Sequence, residues 1–185
     1  VAGLPDRPTS GSKTYGAHVT DRPPREPFPP AAPAVPADPA DPADPATRKR
    51  IQDSFDRQGL MRHLGARITR VEPGRVHIVL PARPEVTQQH GYFHAGATSA
   101  VADTAGGYAA YTLFPEDTEV LTVEYKINLL APAAGDHVEA VGTVVKAGRT
   151  LSVCQLEVFA VQADGARKLV ANGQQTLIRV SGGQQ

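Results

Sequence analysis

The apolar positions change period along the chain, and each change marks an element. In RKRIQDSFDRQGLMRHLG, from Arg48, Ile51 and Phe55 lie one turn apart and Leu60 and Leu64 follow. This spacing predicts a short amphipathic helix at a domain edge, limited by Gly59 and Gly65. After the Pro73-Gly74 turn signal, Val76, Ile78 and Leu80 alternate with Arg75, His77 and Val79, as in a strand that Pro81 and Pro84 end. From residue 95 to about 113 the chain is free of proline, rich in alanine and apolar all round. A helix of that kind is buried on most sides. The period then becomes two: Leu121, Val123, Tyr125, Ile127 and Leu129 fall on one face, and Thr122, Glu124, Lys126 and Asn128 on the other. Two further strands, about 137–146 and 150–161, are joined by the Ala147-Gly148 turn, and a last one, about 168–180, follows the Asp164-Gly165 hairpin signal.

Consecutive strands with such short links imply antiparallel pairing. The predicted class is α+β, with one long helix held against a curved antiparallel sheet.

Composition sets the limits of that domain. Twelve of the 17 prolines precede Arg48, and the segment ends in the near-repeat PADPADPADPAT. With so few large apolar residues it cannot offset the entropy of ordering, so residues 1–47 are predicted to be disordered or polyproline-like and the folded domain to span 48–182. The balance of 19 basic and 19 acidic residues gives no electrostatic reason to expect nucleic acid or an anionic membrane surface as partner. No apolar run approaches the roughly 18 residues of a membrane span. No basic segment followed by an apolar one opens the chain, which argues against a secretory or transit peptide. Cys154 is the only cysteine, so no internal disulfide forms, and the expected location is cytoplasmic.

One side chain stands out chemically. Asp103 is the single charge in ATSAVADTAGGYAAYTLF, where a carboxylate is costly to bury unless paired or used. His90 and His94 have the spacing of a metal pair, but Gly91 lies between them at a loop-to-helix junction and no third ligand is evident, so no metal is expected. His94 is instead read as bracing the loop through a backbone hydrogen bond. Cys154 is read as a small buried hydrophobe, not a nucleophile, and Gly106-Gly107, inside a helix, as a site of close packing, not a phosphate loop.

Gln88, the run His94-Ala95-Gly96, Asp103 in VADTA, the strand TVEYKINLLAPA from Thr122 and GRTL from Gly148 resemble, in order and spacing, the hotdog acyl-CoA thioesterases of the phenylacetate-pathway type. The resemblance covers about residues 51–180. It implies a hotdog fold, a long central helix wrapped by a curved antiparallel sheet, in a dimer or dimer of dimers. It also implies hydrolysis of acyl-CoA to free acid and coenzyme A without metal or redox cofactor. Where that family usually reads His-Gly-Gly, this chain has Ala95 in the middle. Alanine keeps the backbone N–H in use so long as no positive φ is required.

Thioester hydrolysis needs donors aimed at a developing oxyanion and a base or nucleophile. The start of the long helix offers the N–H groups of Ala95 and Gly96, and Gln88 can add its side-chain amide. Asp103 lies eight residues on, roughly 12 Å along the same helix, too far to share a substrate with its own chain's donors. The resemblance implies that antiparallel helices of a dimer bring Asp103 of one subunit to Gln88 and Ala95 of the other. Acyl-CoA and a second copy of the chain are thus the implied partners. Asp103 can act as general base or as nucleophile, with Thr122 orienting the water in the first case. Arg149, by family position, and Lys146 beside it are candidates for the coenzyme A phosphates. Two other activities suit a hotdog fold: a hydratase or dehydratase acting on acyl thioesters, and an acyl-CoA sensor without turnover. The His-Asp spacing argues against the first and the presence of Asp103 against the second.

Overall fold

Asp44 starts the first helix of the computed structural model, which describes residues 42–182. Its carboxylate accepts from the N–H groups of Ala46 and Thr47, and Pro45, with no N–H to lose, takes the first helical position of α1, Pro45–Asp56. The last Asp-Pro unit of the repeat is therefore a helix cap. The expected disorder of residues 1–47 lies outside the described residues as far as residue 41. At its end the structure differs, because Ala43 is buried and donates to the Val71 carbonyl, and residues 45–47 form the first turn of α1. The single helix expected from Arg48 is two: α2, Gly59–Leu64, begins after an extended Gln58 and ends where Gly65 adopts φ 71°. Ile51 and Phe55 are buried as their spacing implies, but Leu60 faces solvent and Met61 is buried instead.

The sheet has six strands in the order β1-β2-β4-β5-β6-β3, all paired antiparallel. They are β1 Arg67–Glu72, β2 Arg75–Pro81, β3 Thr118–Leu129, β4 His137–Ala147, β5 Leu151–Val161 and β6 Arg167–Ser181. Strand β1 has no counterpart in the sequence reading. A register shift between Ile68 and Arg70 breaks its alternation, so no period-two signal survives there. Strand β3 corrects a second expectation. Its apolar row does not bury as one face: Leu121, Val123, Tyr125 and Leu129 are all exposed, and a register shift between Thr122 and Glu124 divides the row. Cross-strand partners share a face. Thr122 pairs with Leu177 and Tyr125 with Gln175, both buried, so the bulge turns Thr122 and Tyr125 to the same side of the sheet.

That side holds α3, Ala95–Tyr111, which packs on the sheet as the long helix of a hotdog fold. Eleven of its 17 residues are buried, among them Val101, Ala105 and Ala109, as expected for a helix apolar all round. Arg50 of α1 closes its C-terminal end: the guanidinium donates to the carbonyls of Tyr111, Phe114 and Pro115 and lies 4.5 Å from the Tyr111 ring centre. No helix among the described residues is long and apolar enough to cross a membrane.

Helix and sheet approach closely at two glycines. A Cβ on Gly142 of β4 would lie 2.4 Å from the backbone of Ala105 and Gly106, and one on Gly106 would lie 2.0 Å from Gln175 Oε1. Gly106 thus serves close packing, as read from the sequence, whereas Gly107 has open space around its Cβ position. Gly142→Ala must push α3 off β4, and by overpacking it is expected to lower unfolding free energy by about 1–3 kcal/mol. Urea denaturation of wild type and variant measures this.

Candidate active site

The loop before α3 is built to present its helix start. His94 is the N-cap, and its Nδ1 accepts from the Gly96 N–H at 2.9 Å, so the ring proton sits on Nε2. This is the bracing hydrogen bond expected of His94, and it engages the Gly96 N–H. Ala95, at the first helical position, has no carbonyl one turn back, and its N–H makes no hydrogen bond among the described residues. No residue other than glycine has positive φ among those described, so Ala95 meets the condition for replacing glycine. Of the two candidate donors on the helix, Ala95 is the open one.

Gln88 lies beside it. Its Oε1 accepts from the His90 N–H, and its backbone closes the loop through bonds to Tyr92 and Gly91. With Oε1 engaged, the Nε2 end is left as the donor. Gln88, His94 and Ala95 line a cavity of about 620 Å³ whose other walls include Leu129, Pro132 and Val170. His90 thus serves the loop through its backbone. No group of three or more His, Cys, Asp or Glu side chains suited to a metal occurs among the described residues.

Asp103 lies on a different cavity, of about 250 Å³, with Thr122, Ser54, Gln58, Tyr108 and Glu119. Among the described residues the two cavities have no lining residue in common. Thr122 Oγ1 donates to Asp103 Oδ1 at 2.8 Å, and Gln175 Nε2 donates to the same oxygen at 2.5 Å. Asp103 Oδ2 accepts no hydrogen bond among the described residues, so one carboxylate oxygen is anchored and the other is open. Burial pushes the Asp103 carboxyl above its usual range, while the hydrogen bonds from Thr122 and Gln175 pull against that rise. Among the described residues the carboxylate is therefore desolvated without an ion pair, a state suited to accepting a proton.

Thr122, expected to orient a water, donates its hydroxyl hydrogen to the Asp103 carboxylate, so toward water it can only accept. The sequence reading did not single out Gln175. A glutamine in a strand is usually solvent-facing, and only the register of β6 against β3 and α3 turns this one inward. Lys146 and Arg149 are exposed at the β4–β5 hairpin and line neither cavity. The pairing of Ser152 with Leu177 and of Leu177 with Thr122 places that hairpin at the Asp103 end of the sheet. Cys154 is buried, its Sγ donates to the Gly106 carbonyl, and burial pushes its thiol up to about 12, which suits the hydrophobe expected and not a nucleophile.

Comparison with known proteins places this arrangement. Residues 90–165 match the thioesterase superfamily. The crystal structure of a thioesterase family protein from Silicibacter pomeroyi is 44% identical, with a TM-score of 0.71, over 74% of this chain and 99% of that one. Two more distant structures share the fold. The Haemophilus influenzae thioesterase HI1161 is 23% identical with a TM-score of 0.63, over 71% of this chain and 88% of its own. The Escherichia coli PaaI protein of the phenylacetic acid degradation operon is 22% identical with a TM-score of 0.64, over 74% of this chain and 94% of its own. With the helix start, the lone helical carboxylate and the wrapped sheet all present, and a relative of this identity matched over nearly its whole length, the chain belongs to the thioesterase superfamily.

Proposed function

We propose that the protein is an acyl-CoA thioesterase working as a homodimer, in which Asp103 of one subunit serves Gln88 and Ala95 of the other. The observation that carries this reading is the division of labour along α3: an open N–H at its start, and a desolvated carboxylate with one free oxygen eight residues on, facing separate cavities. Neither half is sufficient alone. The exposed apolar residues of β3, an edge strand of the sheet, support pairing with a second copy. Such pairing can repeat as a dimer of dimers.

In this reading the thioester carbonyl oxygen accepts from the Ala95 N–H and Gln88 Nε2. Asp103 Oδ2 takes a proton from water as the water oxygen bonds to the carbonyl carbon. Negative charge then builds on the carbonyl oxygen, where the two donors strengthen. Collapse breaks the carbon–sulfur bond, and the departing thiolate recovers the proton from Asp103, giving free acid and coenzyme A. Water is the only co-reactant. Arg149 and Lys146, at the Asp103 end, would meet the phosphates of coenzyme A. The single cysteine, a buried thiol, suits the reducing cytoplasm.

Thiol release measured over short, medium, long and aryl acyl-CoAs tests the proposal, with crotonyl-CoA hydration followed alongside. Thiol is expected from at least one class, without hydration. Hydrated product without thiol would make the protein a hydratase, and tight binding without either product would make it a sensor.

A further inference from the structure

Gln175 is fully buried on β6, and its amide does three things at once. Nε2 lies 2.5 Å from Asp103 Oδ1, 3.1 Å from the Asp103 carbonyl and 3.0 Å from Thr122 Oγ1, so its two hydrogens are shared among three acceptors. Its other end, Oε1, is buried with no donor to satisfy it among the described residues. An orphaned buried carbonyl is destabilising, so this amide is a poor choice for packing alone. Turning the amide over would not relieve it, since Oε1 would then face the carboxylate oxygen, acceptor against acceptor. The missing side chain at Gly106 makes the space: a Cβ there would lie 2.0 Å from Oε1. The fold thus gives up a side chain on its central helix and a hydrogen bond in its core, and both concessions place one N–H₂ group against Asp103.

We infer that Gln175 is the positioning residue of the site, clamping the Asp103 carboxylate and the Thr122 hydroxyl together so that Oδ1 is anchored and Oδ2 alone faces the reaction. The inference rests on the proposed role of Asp103. Geometry fixes the consequence for Thr122. Its hydrogen goes to Asp103 and one of its lone pairs accepts from Gln175, which leaves one lone pair to accept from the attacking water. Gln175 touches neither substrate nor water in this arrangement. Its effect passes through the orientation and the proton affinity of the carboxylate.

Two full-length variants test this by their pH profiles. Gln175→Met keeps the length and removes the donors. A carboxylate that loses a hydrogen bond to its charged form binds its proton more tightly. The acid limb of kcat/KM is therefore expected to move to higher pH by about one unit, and kcat at the optimum to fall roughly tenfold or more with KM nearly unchanged. Gln175→Glu preserves size and places a second carboxyl against the first. The two then share a proton, and the limb is expected to move further than in Gln175→Met. Should the methionine variant not fold, Gln175→Leu, which also removes the donors without adding charge, is read in its place. An acid limb that stays at its wild-type position in a folded variant would reduce Gln175 to a core filler. Asp103→Asn assayed in parallel separates the two readings. If it keeps activity, both fall; if it is inactive while the Gln175 limb stays unmoved, only the Gln175 inference falls.

Discussion

Asp103→Asn is expected to lower kcat by roughly 10²–10⁴-fold, the usual contribution of a general base, while leaving the fold and the proposed dimer intact. Asparagine fills the same space. Its Oδ1 can still accept from Thr122 Oγ1 and Gln175 Nε2, so the anchored half of the group keeps its bonds. The open half changes in kind: where Oδ2 could take a proton, an N–H₂ cannot. The wild-type enzyme should show the same dependence through pH. Burial raises the proton affinity of Asp103, so kcat/KM should fall as pH drops through a value above the usual carboxylate range, because the neutral carboxyl is no longer basic enough to take a proton from water. Steady-state kinetics measure both effects, with circular dichroism and sedimentation as controls. More than about a tenth of wild-type kcat in the folded variant would remove Asp103 from the mechanism.

The second large effect is recovery of activity from two dead proteins. If the site is shared, inactive Asp103→Asn and inactive Gln88→Ala subunits should complement when mixed and reassembled. Each mixed dimer holds one site with both defects and one with neither. A statistical mixture is half mixed dimers, so about a quarter of wild-type activity should return by two-fold symmetry. The premise is the separation on α3: roughly 12 Å of helix lies between donor and carboxylate, and their cavities have no wall residue in common. Subunit exchange shown by mass spectrometry with no recovered activity would mean that each site is built within one chain.

The residues of the candidate site were not equally legible. Asp103 stood out because charge in an apolar helix is expensive, and that cost is a property of the residue and its near neighbours alone. The helix start was readable for the same reason: His94 before an alanine-rich run is a boundary in any context. Strand β3 was found by its alternation, yet its faces were misassigned. Local period fixes which residues can share a face only while the register is unbroken, and the shift between Thr122 and Glu124 reverses it midway. The same kind of break hid β1.

Gln175 marks where local signals end. It lies 72 residues from Asp103, and nothing in GQQTLIRV distinguishes it from the glutamine beside it. Its inward turn depends on how β6 pairs with β3 and β5, and its reach depends on a glycine of α3. By itself the sequence determined the α+β class, the long buried helix, the later strands and the lone carboxylate, because hydrophobic period and the cost of burying charge act over a few residues. Only the tertiary structure decided which face Thr122 takes, which helix-start N–H stays open, and that the donor and the carboxylate face different cavities. Those outcomes depend on register and on contacts between distant segments, whose energies no local stretch of chain contains.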